Sequence, residues 1–332
     1  MTILVTGIAG FIGHAVAAAL AGRGEHVVGI DNLNDYYDPA LKRARLADLA
    51  ARFGGAVEFV EGDIADEQAL DMAVAGRGVD RIIHLAAQAG VRYSLENPRA
   101  YVRSNLAGHV NVLELARGLS VRHLVYASSS SVYGGNTKLP FSVEDRVDRP
   151  VSLYAATKRA DEMLSESYAH LFRIPQTGLR FFTVYGPWGR PDMAAWLFTS
   201  AILEGRPIKV FNNGAMRRDF TYIDDIVAGV LAALDRPPAD DGAEKPGGSI
   251  TPHARYNLGN SRAEELSNLI AAIESACGRE AVREMHPMQP GDVSATYADI
   301  AISTRDLGFI PATSIEQGVE RFVDWYRAHY GV

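Results

Sequence analysis

Short apolar runs without polar alternation recur along the first half of the chain, each followed by a segment of helical spacing, and this alternation restricts the fold more than any other feature. Residues 2–7 form such a run ending in glycine, and Phe11, Ile12, Val16 and Leu20 then follow at helical spacing over 11–23. His26 to Ile30 ends at Asp31, after which Asp38-Pro39 offers an N-cap and a first-turn proline for a helix through Phe53. The series continues with a strand Val57–Val60, a helix from Glu67, a strand Arg81–Leu85, a helix opened by Asn97-Pro98, a strand His123–Ala127 and a helix from Ser152 to Phe172. Strands buried on both faces and separated by helices imply a parallel sheet covered on each side.

Right-handed crossovers between such strands predict an α/β, doubly wound Rossmann-type parallel sheet. After Arg180 the pattern loosens: Leu197–Gly205 reads as a helix, Ile208–Phe211 as a strand, Ile223–Leu234 as a helix and Pro237–Pro252 as a surface loop. Helical segments at Glu264–Cys277 and Ile315–His329 complete the chain. This divides it into a cofactor-holding part over 1–180 and a smaller α/β C-terminal, substrate-holding part over 181–332, with the elements around 208–234 free to return to the main sheet.

A net charge of −7 gives no electrostatic footprint for nucleic acid or an anionic membrane, so an anionic ligand must be held by local positive groups. Cys277 is the only cysteine, which fits a reducing compartment. No apolar run approaches membrane-spanning length and the strand-like Thr2–Val5 run follows Met1 directly, so a cytoplasmic location is expected. No His/Cys/Asp/Glu cluster suggests a metal.

Gly7, Gly10 and Gly13 form G-x-x-G-x-x-G at the first strand-to-helix turn. There the backbone must approach a pyrophosphate, and the helix N-terminus offers it partial positive charge. Asp31 closes the second strand, 18 residues beyond Gly13, where a carboxylate holds the adenine ribose and repels a 2′-phosphate. The pair of features predicts NAD rather than NADP.

Tyr154 and Lys158 stand at i and i+4 on one face of the Ser152–Phe172 helix. Ser128-Ser129-Ser130-Ser131 follows the strand His123–Ala127, at the carboxyl edge where open α/β sheets bind ligands. A phenol is a poor base at neutral pH, and a neighbouring ammonium favours its phenolate. Tyr154 is therefore expected to take a hydroxyl proton as hydride leaves carbon, with Ser129 holding the same oxygen.

Thr6–Gly13, His84-Leu85-Ala86-Ala87, Ser128–Gly134, Tyr154-Ala155-Ala156-Thr157-Lys158 and Arg180-Phe181-Phe182 together resemble the successive motifs of the extended short-chain dehydrogenases/reductases that act as NAD-dependent sugar-nucleotide epimerases. Asp31–Asp38, Ala89–Ser94, Tyr185–Met193 and Met288–Asp292 are similar to segments of UDP-glucuronate 4-epimerases. The resemblance implies that Phe11, Ile12, Asn32, Asp63, Ile64, Leu85, Ala86, Ala87 and Asn105 line the cofactor, with Lys158 on the nicotinamide ribose. It further implies that Arg92, Ser129, Ser130, Ser131, Tyr154, Thr183, Arg190, Arg218, Gln289 and Asp292 meet a UDP-sugar, and that the chain forms a homodimer.

Two departures from the UDP-galactose 4-epimerase pattern are Thr183, in place of asparagine, and Gln289, in place of arginine. Related dehydratases and UDP-glucuronate decarboxylases carry acidic residues where Ser130 and Ser131 stand, which puts 4-epimerisation through a 4-keto sugar ahead of elimination or decarboxylation. UDP-glucose and UDP-N-acetylglucosamine remain alternative substrates. A non-catalytic nucleotide sensor of this fold would be marked by loss of the Tyr or Lys, and both are present.

Overall fold

The computed structural model describes residues 1–288 and 295–332. Strands β1 (Thr2–Thr6), β2 (His26–Asp31), β3 (Val57–Glu61), β4 (Val79–His84), β5 (His123–Ser129) and β6 (Gln176–Phe181) join the strand His253–Leu258 in one seven-stranded sheet. Its order is His253–Leu258, β6, β5, β4, β1, β2, β3, and every neighbour pair is parallel. This is the doubly wound Rossmann-type sheet that the repeating strands and helices predict.

Alternate side chains of each strand enter different layers. Ile3, Val5, Ile83, Val125 and Leu179 join one cluster, while Leu4, Val28, Ile30, Ile82 and Leu124 join the other. Each such side chain contributes about 1.5–3 kcal/mol on full burial, so both faces must be covered. The helices Phe11–Gly22 and Ile223–Leu234 lie on the first layer. Glu67–Val74 and Gly108–Gly118 lie on the second.

The local stop and start signals behave as the side chains require. Asp38 caps the helix Pro39–Phe53 by accepting from the Ala40 amide at 2.9 Å, and Ser152 caps Leu153–Phe172 by accepting from Ala155 at 3.1 Å. Beyond β6 the pairing is fragmentary: Thr183–Tyr185 with Phe220–Tyr222, Arg217–Arg218 with Glu264–Glu265, and Ile208–Phe211 with Arg283–His286. Val184, Tyr185, Phe220, Tyr222, Ile208 and Val210 of these strands belong to the same apolar cluster as the first face of the sheet, which runs on into Phe322 and Tyr326 of the helix Ile315–Tyr330.

Two sheet strands carry no apolar run. Gln176–Phe181 and His253–Leu258 bury Gln176, Thr177, Arg180, His253 and Asn257, each with a polar partner, although Gln176 bonds only through Nε2, to the Ser165 carbonyl at 3.0 Å, and its Oε1 has none. His123 Nε2 meets Thr177 Oγ1 at 2.9 Å, Tyr126 Oη meets His253 Nε2 at 2.8 Å, and Tyr133 donates to Asn257 at 2.6 Å. The strands are hidden from hydropathy because polar partners replace apolar contact.

Candidate active site

The order of the sheet reverses between β1 and β4, and open α/β sheets place ligands at such a switch point. A cleft open to solvent lies there. Gly7, Gly10 and Gly13 form its floor beside β1. A Cβ on Gly13 would stand 2.0 Å from the Gly7 carbonyl oxygen, and one on Gly7, at φ +73, would stand 2.7 Å from the Ala86 amide nitrogen. Only a bare backbone fits, and it leaves the N-terminus of helix Phe11–Gly22 without a side-chain cap, facing the cleft. That cradle suits the pyrophosphate of a dinucleotide.

Asp31 ends β2 nearly buried, accepting from the Ala9 amide at 3.2 Å and the Leu33 amide at 2.9 Å. Burial pushes its carboxyl up, while the Lys42 charge and those amides pull it down. Asn32, Asp63 and Ile64 line the same end. At the mouth of β4, Thr6 Oγ1 meets His84 Nδ1 at 2.7 Å and accepts from the Ala86 amide at 3.1 Å, fixing Leu85–Ala87 along the cleft. Burial, helped by the Lys158 charge, holds His84 down at about 3, so it stays neutral.

Asn105 stands behind this lining rather than in it. Its Oδ1 accepts from the Gln88 amide at 2.8 Å, and its Nδ2 donates to the Gln88 carbonyl at 3.1 Å and to Thr157 Oγ1 at 3.0 Å. It thereby ties the segment after β4 to the helix Leu153–Phe172.

Tyr154, Lys158 and Ser129 reach the cleft from that helix and from the end of β5. Lys158 Nζ donates to the Ala127 carbonyl and to Asp161 Oδ2, both at 3.1 Å, which leaves its third proton for the cleft. Asp161 is pushed up to about 6 by burial, against the pull of Lys158. Ser128 is a support: it donates at 2.7 Å to Glu162, which binds Arg180 through both oxygens at 2.8 and 2.9 Å. Burial would raise Glu162, but Arg180 outweighs it and holds the carboxyl at about 2.

The substrate candidates are spread more widely. Arg190 lines the cleft and is held on Asp192 at 3.0 and 2.5 Å, and Asp192 also accepts from Tyr36 at 2.9 Å. Thr183 lies between the lining residues Phe182 and Val184, its amide donating to the Asp219 carbonyl at 3.1 Å. Among the described residues, Ser130, Ser131, Thr183, Arg92 and Arg218 stand outside the cleft lining. Arg92 packs 5.0 Å over the Phe211 ring, and Arg218 donates to the Arg217 carbonyl at 3.0 Å. Gln289 and Asp292 lie outside the described residues. Among those described, no group of three or more His, Cys, Asp or Glu is placed to hold a metal ion.

The cleft also takes in Tyr36, Lys42, Gln88, Ser104 and Met193, to which the motifs assign no role. Lys42 gives no signal in the sequence: its burial on the helix that follows Asp31, and its bonds to the Asn34 carbonyl and side-chain oxygen at 2.7 Å, emerge only from the fold.

The sequence profile of the NAD-dependent epimerase/dehydratase family matches residues 3–259. The chain belongs to that family. It is 48% identical to a probable UDP-glucuronate 4-epimerase of Rhizobium meliloti, covering 99% of this chain and 98% of the relative. It is 49% identical to UDP-glucuronate 4-epimerase 4 of Arabidopsis thaliana, covering 99% and 76%. Among solved structures, that of UDP-glucuronic acid 4-epimerase from Bacillus cereus, in complex with UDP-glucuronic acid and NAD, superposes with a TM-score of 0.88 at 33% identity, covering 99% and 100%. As a member of the family the chain uses NAD, and the glycine cradle and Asp31 are the features that fit it.

Proposed function

We propose that the chain interconverts UDP-glucuronate and UDP-galacturonate by inverting C4 of the sugar. The observation that carries the reading is the meeting of Ser129, Tyr154 and Lys158 with a glycine cradle in one cleft. Kinship with relatives named for this reaction supports the substrate. Gly7, Gly10–Gly13, Asp31, Asn32, Asp63, Ile64 and Leu85–Ala87 hold the cofactor, with Asn105 bracing the wall behind it. Bound NAD supplies the acceptor for the C4 hydride and its return.

Ser129 and Tyr154 bind the sugar O4, and Tyr154 takes the O4 proton as C4 is oxidised to a ketone. Lys158, fixed by Ala127 and Asp161, keeps a positive charge beside the phenol. The sugar turns about its diphosphate linkage, Tyr154 gives the proton back to O4, and hydride re-enters on the opposite face. Net redox change is zero. Arg92, Arg190, Arg218, Gln289 and Asp292 hold the UDP moiety.

The 4-keto intermediate of a uronic acid is a β-keto acid, which loses CO₂ when its carboxylate bond aligns with the carbonyl π system. Ser129, Ser130, Ser131 and Thr183 hold that carboxylate out of alignment as neutral donors. Purified protein incubated with UDP-glucuronate, UDP-glucose and UDP-N-acetylglucosamine is expected to epimerise the first without CO₂ release. Thr183→Val should raise the share of pentose nucleotide. An unchanged partition would remove Thr183 from this role, and preference for a neutral sugar would remove the substrate assignment.

The same reading places the cofactor in residues 1–180 and the substrate largely in 181–332, and takes the working form as a cytoplasmic homodimer. Exposed Val102 and Met163, on the two helical segments flanking β5, support the dimer. No helix among the described residues is long and apolar enough to cross a membrane.

A further inference from the structure

Arg45 is fully buried on the helix Pro39–Phe53, and its guanidinium spends all five donors on neutral oxygens. Nε donates to the Trp188 carbonyl at 3.2 Å; Nη2 donates to the carbonyls of Trp188 at 2.6 Å and Gly189 at 3.1 Å. Nη1 donates to the Ala9 carbonyl at 2.9 Å and to the Tyr37 hydroxyl at 2.7 Å. Its hydrogen bonds are complete, yet among the described residues none of them ends on a carboxylate.

A guanidinium does not surrender its proton inside a protein, so the charge is present and needs an anion nearby. Asp31 is the carboxylate that acts on it, and Asp31 is already shared with Lys42, one turn earlier on the same helix. Arg190, Lys42, the Tyr37 and Tyr330 phenols and the His14 and His329 imidazoles are further charged or titratable groups that bear on it. Lys42 also has Asp35 to answer it, whereas among the described residues Asp31 is the one carboxylate that acts on Arg45. The Arg45 charge, which no carboxylate contacts directly among the described residues, lies behind Ala9, directly before Gly10 and the helix N-terminus that faces the cleft.

The other contacts of Arg45 reach the loop that carries Arg190. Trp188 has φ +64, a conformation an L side chain rarely adopts, and its carbonyl is pinned by two Arg45 donors. The next residue but one is Arg190, which lines the cleft.

We propose that Arg45 is a positioning residue for both ligands: its charge stabilises a diphosphate seated on the glycine loop, and its fork holds the 188–190 loop so that Arg190 faces the sugar nucleotide. The proposal rests on the reading of that loop as the dinucleotide site. Charge and fork are separable, because Arg45→Met removes both, whereas Arg45→Lys keeps the charge and loses the planar fork.

Displacement of bound NADH by ADP and by adenosine, followed by nicotinamide fluorescence, tests the charge; the KM for UDP-glucuronate tests the fork. Arg45→Met is expected to weaken ADP about tenfold while leaving adenosine within about twofold, since only ADP carries the phosphates. Arg45→Lys should keep ADP within about threefold yet raise KM about fivefold with a smaller change in kcat. Equal weakening of ADP and adenosine in either variant, or no change in either ligand in the Met variant, would overturn the charge role. An unaltered KM in the Lys variant would overturn the fork. If the Met variant does not fold, Arg45→Gln, which keeps hydrogen-bond donors but has no charge, takes its place in the ADP and adenosine comparison with the same expected and overturning results. Wild-type protein that bound no NADH would overturn the dinucleotide site itself and this inference with it.

Discussion

The wall under the dinucleotide is made of backbone at the carboxyl ends of β1, β2, β4 and β5, whereas the wall facing it, over 181–193 with the strand Phe220–Tyr222 paired behind it, is held in place by single buried side chains. In the first wall the ligand-facing groups follow from strand register and three glycines, and many apolar contacts fix that register. In the second wall Asp219 alone accepts from the Asn260 amide at 2.6 Å, the Ser261 amide at 3.1 Å, the Ala298 amide at 3.0 Å and Thr221 Oγ1 at 2.9 Å. Its own carbonyl accepts from Thr183. A wall set by packing resists most single substitutions, while a wall set by hubs depends on a few polar atoms and on their charge.

The largest effect should come from the phenol where the two walls meet. Tyr154→Phe is expected to lower turnover by about 10²–10⁴-fold while NADH fluorescence still reports a bound cofactor. Retained turnover would move the base elsewhere.

Next comes the ion pair under the first wall. Glu162→Gln leaves Arg180 buried without its counter-charge and should cost about 3–5 kcal/mol in urea unfolding. Because Arg180 holds the Glu162 carboxyl at about 2, below its unfolded value, its stabilisation is complete above the ordinary carboxylate range and is lost as pH falls through about 2. The variant should lose that acid dependence.

Asp219 should behave in the opposite sense. Burial lifts it to about 6 despite its four donors, so its contribution is greatest at low pH and declines as pH rises through 6. Asp219→Asn should cost about 1–3 kcal/mol, flatten stability between those limits, and raise the KM for the UDP-sugar more than it weakens NADH. Equal damage to both ligands would erase the distinction between the walls.

The same contrast explains what could be read from the residues. Six strands, the glycine cradle, Asp31 and the Ser129–Tyr154–Lys158 grouping follow from period, turn chemistry and spacing, and five of those strands enter the main sheet. The sixth, Ile208–Phe211, forms a separate two-stranded pair with Arg283–His286. The strands Gln176–Phe181 and His253–Leu258 escape, because their buried side chains are polar and their partners lie far along the chain. Arg45 and Asp219 escape for the same reason: a buried charge becomes legible only when its partners converge. The roles of Arg92, Arg190 and Arg218 rest on resemblance, and only Arg190 lines the cleft.

The central claim is that one hydride leaves C4 and returns to the same carbon on its other face while Tyr154 carries the O4 proton. UDP-glucuronate labelled with deuterium at C4 tests it directly, with product analysed by mass spectrometry and NMR. The account predicts UDP-galacturonate that keeps the label at C4. Label washed out into water would contradict it.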